Sequence, residues 1–161
     1  MTNPGPDRRS PLENRIPPPI LVPFVGLAMW AAARLGPALA VPRLWMIAAA
    51  WPIGIIGLVT GGSGIFAFRK AKTTIDPVRI DQASSLVERG IYRYTRNPMY
   101  VGLTCLLLVW ALYLGTAWAV LGPVLFVAFI TRFQIIPEER AMSARFGRAY
   151  DEYRKKVRRW L

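Results

Sequence analysis

The sequence contains no histidine and only one cysteine, Cys105. Without histidine, the chain has no Ser-His-Asp triad, no histidine-ligated metal site and no histidine proton relay. A single cysteine excludes an internal disulfide and a cysteine-rich zinc site. Acidic residues are also few, with 9 Asp and Glu against 21 Lys and Arg, so the formal net charge is +12.

The chain is strongly apolar as well as basic. Of its 161 residues, 53% are hydrophobic, and the mean hydropathy is +0.30 although 19% of the residues are charged. This length predicts one domain. A membrane protein whose basic loops face the cytosol accounts for both properties, because Lys and Arg are enriched in cytoplasmic loops.

Four apolar stretches predict membrane-spanning helices. They cover residues 19–40, 44–68, 99–114 and 116–137. A helix needs about 20 apolar residues to cross the hydrocarbon core, and the second stretch exceeds this length without a charge. The first stretch contains Arg34 and is too long for a cleavable signal peptide. The third is short, and Gly115 alone separates it from the fourth, which predicts an antiparallel helical hairpin.

The basic residues assign the two sides of the membrane. They cluster in the N-terminal tail, between the second and third stretches, and in the C-terminal tail. An even number of spans places these segments, and both termini, on the cytoplasmic side. Because the basic residues flank apolar stretches and no nucleic-acid-binding motif is present, we expect membrane lipids and no nucleic acid as partners. The absence of an organellar or retrieval signal favours a prokaryotic plasma membrane.

The chain divides into a flexible tail, residues 1–18, and one membrane domain, residues 19–161. The parts of this domain are two scaffold spans (19–68), a polar segment (69–98), a hairpin (99–137) and an amphipathic helix (138–161). A polar segment of this length is a candidate functional loop, because connections between packed helices are usually short. The predicted fold is an all-α integral membrane bundle of about four transmembrane helices with a C-terminal amphipathic helix.

The predicted last helix has apolar residues at spacings of three and four, which is typical of an amphipathic helix. They are Met142, Phe146, Tyr150, Tyr153, Val157 and Trp160. Such a helix can lie on the membrane with its Arg and Lys side chains at lipid headgroups. It can also form a lid over a site, held at Glu138 and Glu139, and the two roles are compatible.

Polar residues within or beside the spans are candidate functional positions. Residues 61–64, Gly-Gly-Ser-Gly, lie inside a span without the strand that a phosphate-binding loop requires, so they predict close helix packing. Arg132 and Gln134 lie near the end of the fourth span, where polar groups face a cavity or, for Arg132, extend to the headgroups. Glu138 and Glu139 suit a helix N-terminus, and they could also bind a cationic ligand.

Two motifs resemble those of a known family. Residues 85–102 resemble the signature of the isoprenylcysteine carboxyl methyltransferase family, and more loosely that of membrane phospholipid methyltransferases. The signature has leucine-valine, then a glycine and a tyrosine, then arginine-histidine-proline-x-tyrosine-x-glycine, and residues 96–102 read Arg-Asn-Pro-Met-Tyr-Val-Gly. Residues 138–142, Glu-Glu-Arg-Ala-Met, resemble the paired glutamates of this family, and the pattern continues through Phe146-Gly147, Tyr150 and Tyr153.

The resemblance implies an integral membrane enzyme that transfers a methyl group from S-adenosylmethionine to a lipophilic acceptor and releases S-adenosylhomocysteine. By position, the cofactor-binding residues are Ser84, Ser85, Leu86, Val87, Tyr92, Asn97, Pro98, Met99, Tyr100 and Glu138. The residues expected to support catalysis or to contact the acceptor are Arg96, Glu139, Arg132 and Gln134. No metal is required, because the methyl group of a sulfonium is already activated.

Two residues depart from the pattern of the family. Asn97 stands where the family has histidine, so it keeps a donor and an acceptor without a titratable ring. Gln134 stands where the prenylcysteine enzymes have an arginine for the substrate carboxylate. The acceptor therefore remains open between an isoprenylcysteine-type carboxylate, a phospholipid or other lipophilic amine, and a small volatile thiol or amine. A non-enzymatic membrane assembly protein that recruits anionic lipids is a further alternative.

Overall fold

The computed structural model describes Glu13 and residues 17–70 and 86–161. Its elements are α1 (Pro18–Ala33), α2 (Arg43–Lys70), a 3-10 turn (Gly90–Arg93), α3 (Pro98–Leu114), α4 (Ala117–Ile130), a π-helical turn (Thr131–Ile135), α5 (Ile136–Phe146) and α6 (Arg148–Lys156). Every regular element in these ranges is a helix, which confirms the predicted all-α class. Most of the predicted flexible tail and residues 71–85 of the polar segment lie outside the described residues.

Two of the described helices have the length and apolar composition of a membrane span. They are Arg43–Lys70, with 28 residues, and the continuous helix Ala117–Phe146, with 30 residues. α1 and α3 are apolar but have only 16 and 17 residues. At 1.5 Å per residue each extends about 25 Å, less than the ~30 Å hydrocarbon core. The structure thus supports a membrane protein through two long helices, and the total of four spans stays a prediction.

α2 and α3 pack closely because glycines face each other across their interface. A Cβ atom added to Gly102 would lie 2.9 Å from both the carbonyl oxygen of Gly57 and the Cα of Gly61. A Cβ added to Gly64 would lie 3.0 Å from Pro98, the first residue of α3. These close approaches require residues without a side chain. They confirm that the Gly-Gly-Ser-Gly segment serves helix packing at Gly61 and Gly64.

α1, α3 and α4 share one apolar core. Its buried residues are Met29, Leu107, Ala111, Ala119, Phe126, Ile130 and Ile135. The indole N–H of Trp110 donates to the carbonyl oxygen of Gly26 at 3.0 Å, which ties α3 to α1. α3 is therefore held on both sides, and its first turn, which carries the family motif, has a fixed position.

The turn between α3 and α4 is the predicted hairpin. Gly115 adopts a φ of +64°, a conformation that glycine accepts without strain. A guanidinium N–H of Arg43, at the start of α2, donates to the carbonyl oxygen of Tyr113 at 2.5 Å. An isolated antiparallel bridge joins Ala38 to Thr116. Gly115 thus reverses the chain as predicted. The loop between α1 and α2 packs against this turn.

The structure corrects the prediction of one helix over residues 138–161. α4, the π-helical turn and α5 form a single helix, so Glu138 and Glu139 lie inside a helix rather than at its start. Pro137 interrupts the hydrogen bonding of an ordinary helix and clashes with the carbonyl group four residues earlier. That carbonyl belongs to Phe133, within the π-helical turn, and the wider turn provides the space that the proline ring needs.

The observed chain also departs from the predicted helix at two later points: it breaks at Gly147, and it stops being helical after Lys156. Gly147, with a φ of +52°, separates α5 from α6. Residues 157–161, called the C-terminal tail below, are not helical, and an isolated parallel bridge pairs Arg158 with Thr95. The prediction failed because the apolar spacing is preserved across Gly147, although its backbone conformation breaks the helix.

Candidate functional site

The candidate site is built on residues 92–100, called the motif segment below. Asn97 is the N-cap of α3, and Pro98 occupies the first helical position, where its missing N–H and fixed φ are favourable. Pro98 is buried, and Pro98 and Met99 both pack against Gly64 of α2. The first turn of α3 is therefore fixed against the scaffold, which directs the motif side chains toward the C-terminal part of the chain.

Tyr100 and Glu138 join the two family motifs in space. The hydroxyl of Tyr100 donates a hydrogen bond to Oε1 of Glu138 at 2.5 Å, although 38 positions separate them in sequence. Both side chains are partly buried. The predicted cofactor residues from α3 and α5 thus form one cluster.

Glu139, the next residue, lies in a buried ion-pair cluster. Its two oxygens accept hydrogen bonds from Nε and Nη2 of Arg159 at 2.9 and 2.7 Å. A third cationic contact comes from Nη1 of Arg96 at 2.9 Å, and the Arg96 and Glu139 side chains are only 11% and 10% exposed. The bonds to Glu139 raise the pKa of Arg159 above its ordinary value. Glu139 therefore holds two arginines in place. A contact between Glu139 and the acceptor stays a prediction.

Asn97 holds the C-terminal tail against the motif segment. Its side-chain amide donates to the carbonyl oxygen of Arg159 at 2.8 Å, and its backbone N–H donates to the hydroxyl of Thr95 at 3.2 Å. The backbone N–H of Arg96 donates to the carbonyl oxygen of Arg158 at 3.0 Å. Asparagine at the position of the family's histidine therefore provides a hydrogen-bond donor to the tail.

Two buried tyrosines fix α6 to the motif segment. The hydroxyl of Tyr153 donates to the carbonyl oxygen of Tyr92 at 2.7 Å. Burial raises the pKa of both phenols above the ordinary value of 10.0, so both stay neutral at physiological pH. Tyr92, a predicted cofactor residue, also packs edge-on against Phe68 of α2, with ring centroids 5.3 Å apart.

A cleft lies between the end of α2 and the start of the described polar segment. Its volume is about 1190 Å³, which is ample for a small-molecule ligand because such pockets measure roughly 300–1,000 Å³. Its lining includes Ser63, Phe66, Leu86, Val87, Gly90 and Ile91. Leu86 and Val87 are predicted cofactor residues, and the predicted Ser84 and Ser85 lie outside the described residues.

Arg132 and Gln134 both lie in the π-helical turn, but they point in different directions. Arg132 is half exposed and pairs with Glu13 at 3.2 Å. Gln134 is only 2% exposed, and its Nε2 has no hydrogen-bond partner among the described residues. A buried amide without a partner is costly, and π-helical turns occur often at functional sites. Gln134 therefore faces inward, whereas Arg132 lies at the surface.

The structure brings together most of the predicted site residues, and it adds three residues that were not predicted as part of the site. The motif segment, Glu138 and Glu139 form one cluster, whereas Arg132 lies apart from it. Thr95, Tyr153 and Arg159 are the additions, and each takes part in a hydrogen bond between the motif segment and the C-terminal part. The sequence gives no signal that separates Arg159 from the exposed Arg158, because only the tertiary contact with Glu139 distinguishes them.

Comparison with known proteins identifies the family. A family model described as phospholipid methyltransferase matches residues 45–149. The chain belongs to the phospholipid methyltransferase family. The matched range includes both the motif segment and the paired glutamates. Together with the relatives below, it confirms the predicted resemblance to the isoprenylcysteine carboxyl methyltransferases.

Three similar proteins illustrate the relationship. An uncharacterized protein of Haemophilus influenzae is 46% identical over 63 residues, which are 39% of this chain and all of that protein. A probable protein-S-isoprenylcysteine O-methyltransferase of Oryza sativa is 32% identical over 109 residues, which are 64% of this chain and 54% of that protein. A protein-S-isoprenylcysteine O-methyltransferase of Schizosaccharomyces pombe is 38% identical over 78 residues, which are 45% of this chain and 30% of that protein. No solved structure matches the chain.

Proposed function

We propose that this protein is an integral membrane methyltransferase that uses S-adenosylmethionine to methylate a lipophilic acceptor. The observation that carries the proposal is the hydrogen bond between Tyr100 and Glu138, which joins the two family motifs. The family match and the apolar helices support a membrane methyltransferase. A non-enzymatic assembly role explains neither the two motifs nor their contact.

The residues of the site fit the methyl donor chemically. The donor carries a cationic sulfonium, an ammonium, a carboxylate and an adenosine group. The carboxyl group of Glu138 suits a cationic group, because a bound cation favours the ionised carboxylate and attracts it strongly in a partly buried site. Nε of Arg96 is buried and has no hydrogen-bond partner in the described ranges, so it suits the donor's carboxylate. The apolar side chains of Leu86 and Val87 in the cleft suit the adenine ring.

The role of the protein in this reaction is placement. When bound, S-adenosylmethionine would supply an activated methyl group, whose bond to sulfur breaks as the acceptor attacks the methyl carbon in line and S-adenosylhomocysteine leaves. Tyr100 fixes the carboxylate of Glu138, and Arg96 and Glu139 keep the neighbouring backbone in place. Good placement brings reacting atoms within about 3–3.5 Å, and this can supply much of the rate enhancement.

The acceptor that the resemblance favours is an isoprenylcysteine-type carboxylate, the substrate class named for the rice and S. pombe relatives. It would enter from the bilayer and contact Gln134 and Arg132, and the site would face the cytosol of a prokaryotic plasma membrane. A second candidate is a lipophilic amine such as a phospholipid headgroup. The buried neutral amide of Gln134 favours it, because a neutral group does not balance the charge of a buried carboxylate.

Isotopically labelled S-adenosylmethionine tests the proposal. The purified protein, in detergent or bilayers, is incubated with a total lipid extract, and the products are separated by mass spectrometry. We expect label in a lipophilic product with the wild type and none with Glu138→Ala. Glu152→Ala is the matched control, because Glu152 is exposed and pairs only with Arg148 in the described structure. Base cleavage of the label identifies an ester, whereas an N-methyl product resists base. Absence of labelled product with folded wild-type protein and varied lipid extracts would contradict the proposal.

A further inference from the structure

Arg159 connects three parts of the molecule. Its guanidinium donates to both oxygens of Glu139 on α5. Its backbone carbonyl accepts a hydrogen bond from the amide of Asn97 in the motif segment. We infer that Arg159 is a positioning residue that closes the C-terminal tail over the motif segment and thereby holds the methyl-donor site in its binding geometry. This inference rests on the proposed function.

The residues beside Arg159 fix the path of the tail. The carbonyl oxygen of Arg158 accepts a hydrogen bond from the backbone N–H of Arg96 at 3.0 Å, while its side chain is exposed. On the other side, Trp160 packs against the core shared by α1, α3 and α4. The tail is therefore anchored at both ends of a short segment. Arg159 lies between these anchors and is the tail residue whose side chain reaches Glu139.

The pair of Arg159 and Glu139 has the geometry of a strong contact. Two parallel hydrogen bonds between a guanidinium and a carboxylate fix both the distance and the relative plane of the two groups. The Glu139 side chain is only 10% exposed, so its charge depends on its partners. Without the guanidinium of Arg159, Arg96 remains as the cationic contact of Glu139 in the described structure. The tail then keeps its backbone contacts, its bonds to Asn97 and Thr95, and the packing of Val157 and Trp160, and it opens more readily.

Each end of the Tyr100–Glu138 hydrogen bond lies close in sequence to a contact of Arg159. Glu138 directly precedes Glu139, and Tyr100 lies three residues after Asn97. Closing the tail therefore fixes the backbone on both sides of the donor-binding pair. Opening the tail loosens both sides together. The tail can in this way retain a bound donor without any side chain of its own in contact with the methyl group.

The experiment compares wild type, Arg159→Ala, Arg159→Lys and the matched control Arg158→Ala, which also removes one positive charge from the tail. Calorimetric titration with S-adenosylhomocysteine measures affinity. We expect Arg159→Ala to weaken binding about tenfold, the equivalent of one charge-assisted contact. Arg159→Lys should weaken it about threefold, because an ammonium keeps the charge and loses the two-pronged geometry. Arg158→Ala should stay within about twofold, since its side chain is exposed.

Kinetics separate positioning from a merely structural role. A positioning role raises KM for the methyl donor in Arg159→Ala and leaves kcat and the KM for the acceptor lipid nearly unchanged. A lowered Tm with unchanged affinity would overturn the inference. Should Arg159→Ala fail to fold, Arg159→Lys decides, and wild-type affinity in that variant overturns the inference. Failure of wild type itself to bind refutes the proposed function, whereas binding by wild type with an unchanged Arg159→Ala refutes the positioning role alone.

Discussion

The α2–α3 interface and the contact between the motif segment and the C-terminal tail are held in different ways. At the first, the backbones meet at Gly57, Gly61 and Gly102, and a Cβ atom added to Gly57 or Gly102 would clash. At the second, hydrogen bonds and a buried ion-pair cluster at Glu139 join the two segments. Close backbone packing gives a rigid scaffold, whereas polar pairs can separate without steric cost. The region that must admit a ligand is therefore held by hydrogen bonds and ion pairs, which can separate.

The largest effect is expected from adding one methyl group at the α2–α3 interface. Gly102→Ala should lower the free energy of unfolding by about 2 kcal/mol, because the new Cβ meets backbone atoms that cannot move aside. Gly62→Ala is the control, since nothing lies within 4 Å of a Cβ at that position. Thermal unfolding in detergent measures both. Equal stability of the two variants would contradict the rigid-scaffold assignment.

Removing the hydroxyl of Tyr100 should weaken the site and leave the scaffold intact. Tyr100→Phe loses the hydrogen bond to Glu138, and we expect about tenfold weaker binding of S-adenosylhomocysteine with little change in Tm. Tyr113→Phe provides the control, because Tyr113 is 61% exposed at the opposite end of α3. A large drop in Tm with unchanged affinity would show that the Tyr100–Glu138 contact belongs to the scaffold.

A smaller effect is expected where α6 meets the motif segment. Tyr153→Phe leaves the buried carbonyl oxygen of Tyr92 without its hydrogen bond, which should cost about 1 kcal/mol of stability. Tyr94→Phe, at a residue that is 73% exposed, should have no effect. Chemical denaturation of both variants measures the difference. Equal midpoints would show that the hydroxyl of Tyr153 does not secure α6.

Alkaline pH should also act on this contact. Burial raises the pKa of Tyr153 above its ordinary value of 10.0, so above pH 10 the unfolded chain loses this proton while the folded chain keeps it. The stability contributed by the neutral phenol is therefore present below pH 10 and declines as the pH rises, by about 1.4 kcal/mol per pH unit. The free energy of unfolding, measured from pH 9 to 11, should decline more steeply for wild type than for Tyr153→Phe. Parallel curves for the two proteins would contradict this.

Local sequence features predicted the hairpin and the start of α3. Gly115 between two apolar stretches requires a reversal, and Pro98 is suited to begin a helix, so both features follow from backbone chemistry. The contact between Tyr100 and Glu138 was expected through the family motifs alone. Neither spacing nor composition brings those two residues together.

Other parts of the structure depend on tertiary contacts that the sequence does not reveal. Gly147 breaks the last helix although the apolar spacing continues through it. Arg159 and Arg158 are adjacent and chemically identical, yet the first is paired with Glu139 and the second is exposed. These features are set by packing rather than by local propensity.

The central claim is that the two motifs together bind the methyl donor. Calorimetric titration of S-adenosylhomocysteine into purified wild type and Glu138→Ala, each confirmed as folded by its unfolding transition, tests this claim most directly. The account predicts saturable binding to wild type with one site per chain, and loss of that binding in Glu138→Ala. Binding of equal strength by the two proteins, or none by wild type, would contradict it.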